Sequence, residues 1–134
     1  MMFRAFILSI LFLFNTTHAS VGNLQAEQVS QSIEQGVTII DIRTPEEWKE
    51  TGTIKNAHRI MFFDQKGRPL IDDFMSQFNK IVTHKDQKVI LVCRSGNRTG
   101  MVSKFLDEKL GYTHVSHLAR GMKQWISQKR SVEK

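Results

Sequence analysis

Val89-Ile90-Leu91-Val92-Cys93-Arg94-Ser95-Gly96-Asn97-Arg98-Thr99 is the stretch that decides the fold. The four apolar residues read as a buried strand. Cys93, the only cysteine in the chain, ends that strand and opens a polar loop. Met101, Val102, Phe105, Leu106 and Leu110 then recur at helical spacing. A strand handed to a helix through such a loop aims the unpaired N–H groups of the first helical turn at the sulfur.

The thiolate is the nucleophilic form of cysteine and is scarce at neutral pH when the thiol titrates near its free value of about 8.5. Helix amides and the guanidinium groups of Arg94 and Arg98 are the candidates for stabilising it. Arginine also suits oxyanions, because its planar fork holds two oxygens at once. Gly96 lets the backbone turn tightly and approach a ligand closely. Ser95, Asn97 and Thr99 complete the expected anion cradle, so Cys93 is the candidate catalytic residue and residues 94–99 the candidate substrate-binding set. A buried structural cysteine is the alternative. Two cations and a glycine beside the thiol argue against it, because an apolar site would not surround sulfur with charge.

Cys93-Arg94-Ser95-Gly96-Asn97-Arg98 resembles the active-site loop of the rhodanese domains. Ile39-Ile40-Asp41-Ile42-Arg43-Thr44-Pro45-Glu46-Glu47-Trp48 is similar to the family's first signature, an Asp-x-Arg step before a short acidic helix. Leu118-Ala119-Arg120-Gly121-Met122-Lys123-Gln124-Trp125 resembles its closing segment, a glycine before a helix bearing tryptophan. Gly52-Thr53-Ile54-Lys55-Asn56-Ala57 stands where the family usually shows Gly-His-Ile-Pro-Gly-Ala. Thr53, Lys55, Asn56 and Arg120 thus replace residues more often His, Pro, Gly and Gly. The resemblance implies an α/β fold, a single rhodanese-like domain with a mainly parallel central sheet and helices on both faces.

The resemblance also separates two chemistries by loop length. Related phosphatases would place five residues between cysteine and arginine, enough to wrap a tetrahedral phosphate. Here Arg98 follows after four, and Thr99 occupies the place of the phosphatase arginine. The shorter ring favours sulfur transfer over phosphoryl or arsenyl chemistry. A cysteine phosphatase or arsenate reductase, and a non-enzymatic periplasmic persulfide carrier or binding module, are the alternatives.

With 134 residues, 40% of them hydrophobic, and no repeat or low-complexity stretch, the chain is expected to form one domain. Its net charge is +6, and removal of Arg4 with a leader leaves +5. Such a balance draws anions toward a cleft. The basic residues are scattered without interleaved aromatics, so nucleic acid is not the expected partner.

Arg4, the apolar run Ala5 to Phe14 and then Thr17-His18-Ala19 match a charged start, a hydrophobic region and a small-x-small cleavage site. Residues 1–19 are therefore expected to be a signal peptide and residues 20–134 the exported domain, with the bacterial periplasm as destination. The apolar run is far shorter than the ~20 residues of a spanning helix, so no stable membrane association is expected. An exported domain ordinarily pairs its cysteines. A lone thiol there makes sense if its sulfur is used, and without a second cysteine an external acceptor must take that sulfur.

Further along, Leu24 to Glu34 reads as a short helix with Val29 and Ile33 facing inward, stopped by Gly36. Val37 to Ile42 reads as a buried strand. Thr44, Pro45 and Glu47 form a helix start with a capping box. Ala57 to Met61 is the expected third strand. Ile71, Phe74, Met75, Phe78 and Ile81 form a helical core stripe. A short strand near His114 to Ser116 and a helix around Trp125 close the pattern. Asp41 and Arg43, at a strand's C-terminal end, are expected to organise the loop and are not counted as catalytic. Dispersed histidines and the absence of a Gly-x-Ser-x-Gly elbow speak against a metal site and a serine triad.

The expected reaction is attack by Cys93 on the outer sulfur of thiosulfate, with loop amides, Arg94 and Arg98 holding the anion. Sulfite leaves as a stable anion, so no general acid, cofactor or metal is called for. Cyanide or a thiol would take the sulfur from the Cys93 persulfide, the thiol of a periplasmic protein being one such acceptor.

Overall fold

β4 (Val89–Val92) is buried along its whole length and sits at the centre of a five-stranded sheet. The computed structural model describes residues 21–134, so the expected signal peptide lies outside the described residues. The elements run β1 (Gly22–Leu24), α1 (Ala26–Glu34), β2 (Thr38–Asp41), α2 (Pro45–Thr51), β3 (His58–Arg59), α3 (Ile71–Ile81), β4, α4 (Asn97–Glu108), β5 (Val115–Leu118) and α5 (Gly121–Ser127). Strand order is β1-β5-β4-β2-β3, and every pairing is parallel. Among the described residues no helix is long and apolar enough to cross a membrane.

Alternation along β4 divides the core in two. Val89 and Leu91 pack with Phe74 and Phe78 of α3 and with Val102 and Leu106 of α4. Ile90 and Val92 pack on the opposite face with Ala26 and Val29 of α1 and with Met122 and Trp125 of α5. A strand covered on both faces reads as a continuous apolar run, which is why Val89–Val92 carries no period. Phe74 and Phe78 are fully buried, each worth roughly 1.5–3 kcal/mol of transfer free energy.

Local signals set α2 as expected. Thr44 caps it, Pro45 opens it, and the Glu47 carboxylate accepts from the Thr44 N–H at 3.0 Å. Other boundaries differ from the sequence reading. The first helix starts at Ala26, because Gly22–Leu24 pairs with β5 as an edge strand. The third strand contracts to His58–Arg59, although Ile60 and Phe62 still donate to the carbonyls of Asp41 and Ile42 at 3.0 and 3.1 Å. The fifth strand lies one residue later and runs on to Leu118. Ile71 is 40% exposed, because it opens α3 where the stripe has not yet met the sheet.

Parallel strands leave their C-terminal ends on one edge, where ligands of open α/β sheets sit. Cys93 follows β4 on that edge, beside Asp41 of β2.

Candidate active site

Cys93 lies on the floor of the turn between β4 and α4, 1% exposed. Its Sγ accepts the Gly96 N–H at 3.2 Å and stands 3.4 Å from Thr99 Oγ1. Cys93 belongs to the larger apolar core cluster, while its sulfur meets the Gly96 N–H and the Thr99 hydroxyl. Gly96 caps α4 with φ +93°, and a Cβ there would come within 1.9 Å of the Ala119 carbonyl oxygen. Only glycine permits that approach. From the other side, the Met122 and Lys123 N–H groups at the start of α5 donate to the carbonyls of Cys93 and Arg94 at 2.9 and 3.0 Å. The peptide planes of the cysteine loop are thereby fixed by a second helix.

Cys93, Gly96 and Thr99 meet at the sulfur, and the other predicted loop residues do not. Arg94, Ser95 and Asn97 are exposed along the rim. Arg94 lines two depressions, one of about 640 Å³ with Glu46, Phe63 and Met101, and one of about 340 Å³ with Arg43, Glu50 and Ile126. Ser95 lines a different one with Arg120 and Lys123. Arg98 is held as a fork by Glu47, at 2.8 Å from Nη1 and 2.6 Å from Nη2. Burial acts to raise the Glu47 carboxyl, but hydrogen bonds from Arg98 and Thr44 outweigh it and bring its pKa down to about 2. The same carboxylate raises Arg98 further, so this pair is ionised throughout the ordinary pH range.

Asp41 and Arg43 are buried together behind the loop. Arg43 donates to both Asp41 oxygens, to Thr51 Oγ1 and to the Gly52 carbonyl at 2.8–3.2 Å. Thr53, standing where the resemblance would put histidine, donates to Asp41 Oδ2 at 2.5 Å. The charges are satisfied internally, an arrangement that anchors the end of β2 to the C-terminus of α2.

Two groups at this site escape a reading of the sequence. Glu47 reads as a capping residue and is also the partner of Arg98. His117, on β5, stands 2.8 Å by Nδ1 from Thr99 Oγ1 and 2.7 Å by Nε2 from Asn23 Oδ1 on β1. A histidine is therefore one hydroxyl away from the sulfur, where the sequence offers no obvious one. Burial pushes the His117 pKa below its ordinary value, favouring the neutral ring. Only the strand register, which sets Asn23 beside His117 and His117 beside Leu91, brings these residues under α4.

A sulfur that receives a backbone N–H at a helix N-terminus and lies beside a hydroxyl is equipped to act as a nucleophile on an electrophilic partner. Residues 25–128 match the family model described as the Rhodanese-like domain. Rhodanese-like domain-containing protein 17 of Arabidopsis thaliana is 26% identical over 114 residues, which cover 82% of this chain and 71% of that protein. The crystal structure of a rhodanese-related protein from Thermoplasma volcanium superposes with a TM-score of 0.63 at 25% identity, over 84% of this chain and 97% of the other. The polysulfide-sulfur transferase of Wolinella succinogenes shares the fold, with a TM-score of 0.65 at 19% identity over 87% of this chain and 80% of its own. Because the matched segment takes in β2, the cysteine loop and the α5 start that clasps it, the chain belongs to the rhodanese-like domain family.

Proposed function

We propose that this protein is a sulfurtransferase that moves a sulfane sulfur from thiosulfate to a thiophilic acceptor through a Cys93 persulfide. One observation carries the reading: the Cys93 sulfur receives the Gly96 N–H at 3.2 Å at the N-terminus of a twelve-residue helix. The thiolate attacks the outer sulfur of thiosulfate, and the bond between the two sulfur atoms of thiosulfate breaks. Sulfite leaves with that electron pair, and the terminal sulfur of the new persulfide carries the negative charge. A thiolate or cyanide then attacks the terminal sulfur and restores the Cys93 thiolate. Loop amides suit the anion, Arg94 offers a cation at the rim, and Arg98 lines the same depression as Arg94. The Wolinella succinogenes protein of this fold is a polysulfide-sulfur transferase, which accords with sulfane chemistry here.

Intact mass after incubation with thiosulfate should show the gain of one sulfur, and cyanide should then release thiocyanate. Cys93→Ser should lose both signals. Wild-type protein that gains no sulfur, or a serine variant that still forms thiocyanate, overturns the reading. A phosphatase or arsenate reductase has the weaker case, because Arg98 follows Cys93 after four residues. Thiosulfate loading followed by slow release to small acceptors would mark a persulfide carrier instead.

The leader pattern of residues 1–19 supports export to the periplasm as part of the same proposal. Protein recovered from a periplasmic fraction should begin at Ser20; uncleaved protein confined to the cytoplasm would refute export.

A further inference from the structure

The Cys93 thiol is 1% exposed, so bulk water has little access to its proton, yet the proposed chemistry requires that proton to leave. Gly96 N–H can only donate to the sulfur. Thr99 Oγ1, at 3.4 Å, can accept from it. We propose that His117 takes up the Cys93 proton through the Thr99 hydroxyl, with Asn23 holding the imidazole in the tautomer that can do so. The inference rests on Cys93 acting as the nucleophile.

The direction of each hydrogen bond follows from the groups at the ends of the chain. Asn23 Oδ1 can only accept, so His117 Nε2, 2.7 Å away, carries a hydrogen. In the neutral ring Nδ1 is then an acceptor, and Thr99 donates its hydroxyl hydrogen to it across 2.8 Å. The Gly96 carbonyl, at 3.2 Å, is a longer and competing acceptor for that hydrogen. Donation to His117 turns the Thr99 lone pairs toward the thiol. The S–H proton passes to Thr99 Oγ1 as the hydroxyl proton passes to His117 Nδ1. The S–H and O–H bonds break, new O–H and N–H bonds form, and a thiolate and an imidazolium replace two neutral groups. The new Nδ1–H donates back to Thr99, whose remaining hydrogen now points at the thiolate.

Burial of the ring favours the neutral, proton-accepting form at rest, and the thiolate stabilises the imidazolium once it forms. Around the ring, β1 contributes Asn23 and α4 contributes Thr99 and Gly100, none of them titratable. Cys93, from the β4–α4 turn, is the titratable group at the other end of the chain. His117 is thus a positioning residue that acts on the sulfur through Thr99.

Alkylation of Cys93 by iodoacetamide across a pH series reads this relay without a sulfur donor. His117→Gln and Thr99→Val should each slow alkylation at neutral pH by on the order of 10²-fold, with recovery at alkaline pH where hydroxide removes the proton. Thr99→Ser should restore the wild-type profile, and the double variant should be no slower than either single one. A His117→Gln profile superimposed on wild type, or Thr99→Val reacting like Thr99→Ser, overturns the relay. Should His117→Gln fail to fold, nitrogen NMR of intact protein supplies the same test. Nε2 should be protonated and Nδ1 unprotonated in the resting protein at neutral pH, and the opposite tautomer would overturn the relay. Protein that alkylates with the relay profile but takes no sulfur from thiosulfate retains the relay while losing the sulfurtransferase reading.

Discussion

Arg98 gives two N–H donors to Glu47, whereas Arg94, at the rim, has no salt-bridge partner among the described residues. As charges in the sequence they are interchangeable; in the fold only Arg94 presents an uncompensated cation to an arriving dianion. Glu47→Gln separates the two roles, because glutamine can still complete the capping box with Thr44 while the carboxylate on Arg98 is gone. Removing that negative charge should lower KM for thiosulfate by about five-fold, the equivalent of about 1 kcal/mol of restored attraction at a screened site. The lost pair, partly exposed on both sides, should reduce stability by on the order of 1 kcal/mol. Steady-state kinetics and a denaturation curve check both, and an unchanged or higher KM would show that Arg98 does not face the donor. Cys93, Gly96 and Thr99 were legible in the sequence because their roles are local, set by the turn that joins one strand to one helix. Asn23 and His117 were not, since they are separated by 93 intervening residues and meet only across a strand pair. Glu47 was half legible: its cap is local, and its hold on Arg98, 51 positions away, is not.

At the scale of elements, those that announce themselves do so through strong local rules. α2 begins where Thr44, Pro45 and Glu47 say it should, and α3 follows its Phe74–Phe78 stripe. β1 is three residues with a single large apolar side chain, too short for any period to stand out. It is strand because β5 offers it a ladder, and the same ladder delivers Asn23 to His117. The α5 start was visible as a glycine before a tryptophan helix, while its purpose was not. Gly121 adopts φ +62° with Arg94 backbone so close that a Cβ would fall 2.3 Å from the carbonyl oxygen. That contact lets α5 donate to the Cys93 and Arg94 carbonyls. The cysteine loop is therefore shaped from two sides, by the helix it starts and by a helix that begins 28 residues after the cysteine.

For the whole molecule, the acid side of the stability curve should carry the signature of this site. His117 titrates below its ordinary value of about 6.5 in the folded protein, so between that folded value and 6.5 the unfolded chain binds more protons than the native one. Stability from the buried neutral ring is complete above about 6.5 and falls away as pH drops through the folded value. Glu47 adds a later loss: its folded pKa of about 2 lies below the 4.5 of the free side chain, so its contribution is whole above 4.5 and declines as pH falls toward 2. The folded protein should therefore weaken in two steps on acidification, on top of the repulsion that a net charge of +6 builds as carboxylates protonate. Urea midpoints measured across the acid range should show both steps. His117→Gln should remove the earlier one and leave the later, and Glu47→Gln should do the reverse. If the earlier decline persists in His117→Gln, the buried imidazole is not its source, and the neutral resting ring on which the relay depends would lose its thermodynamic support.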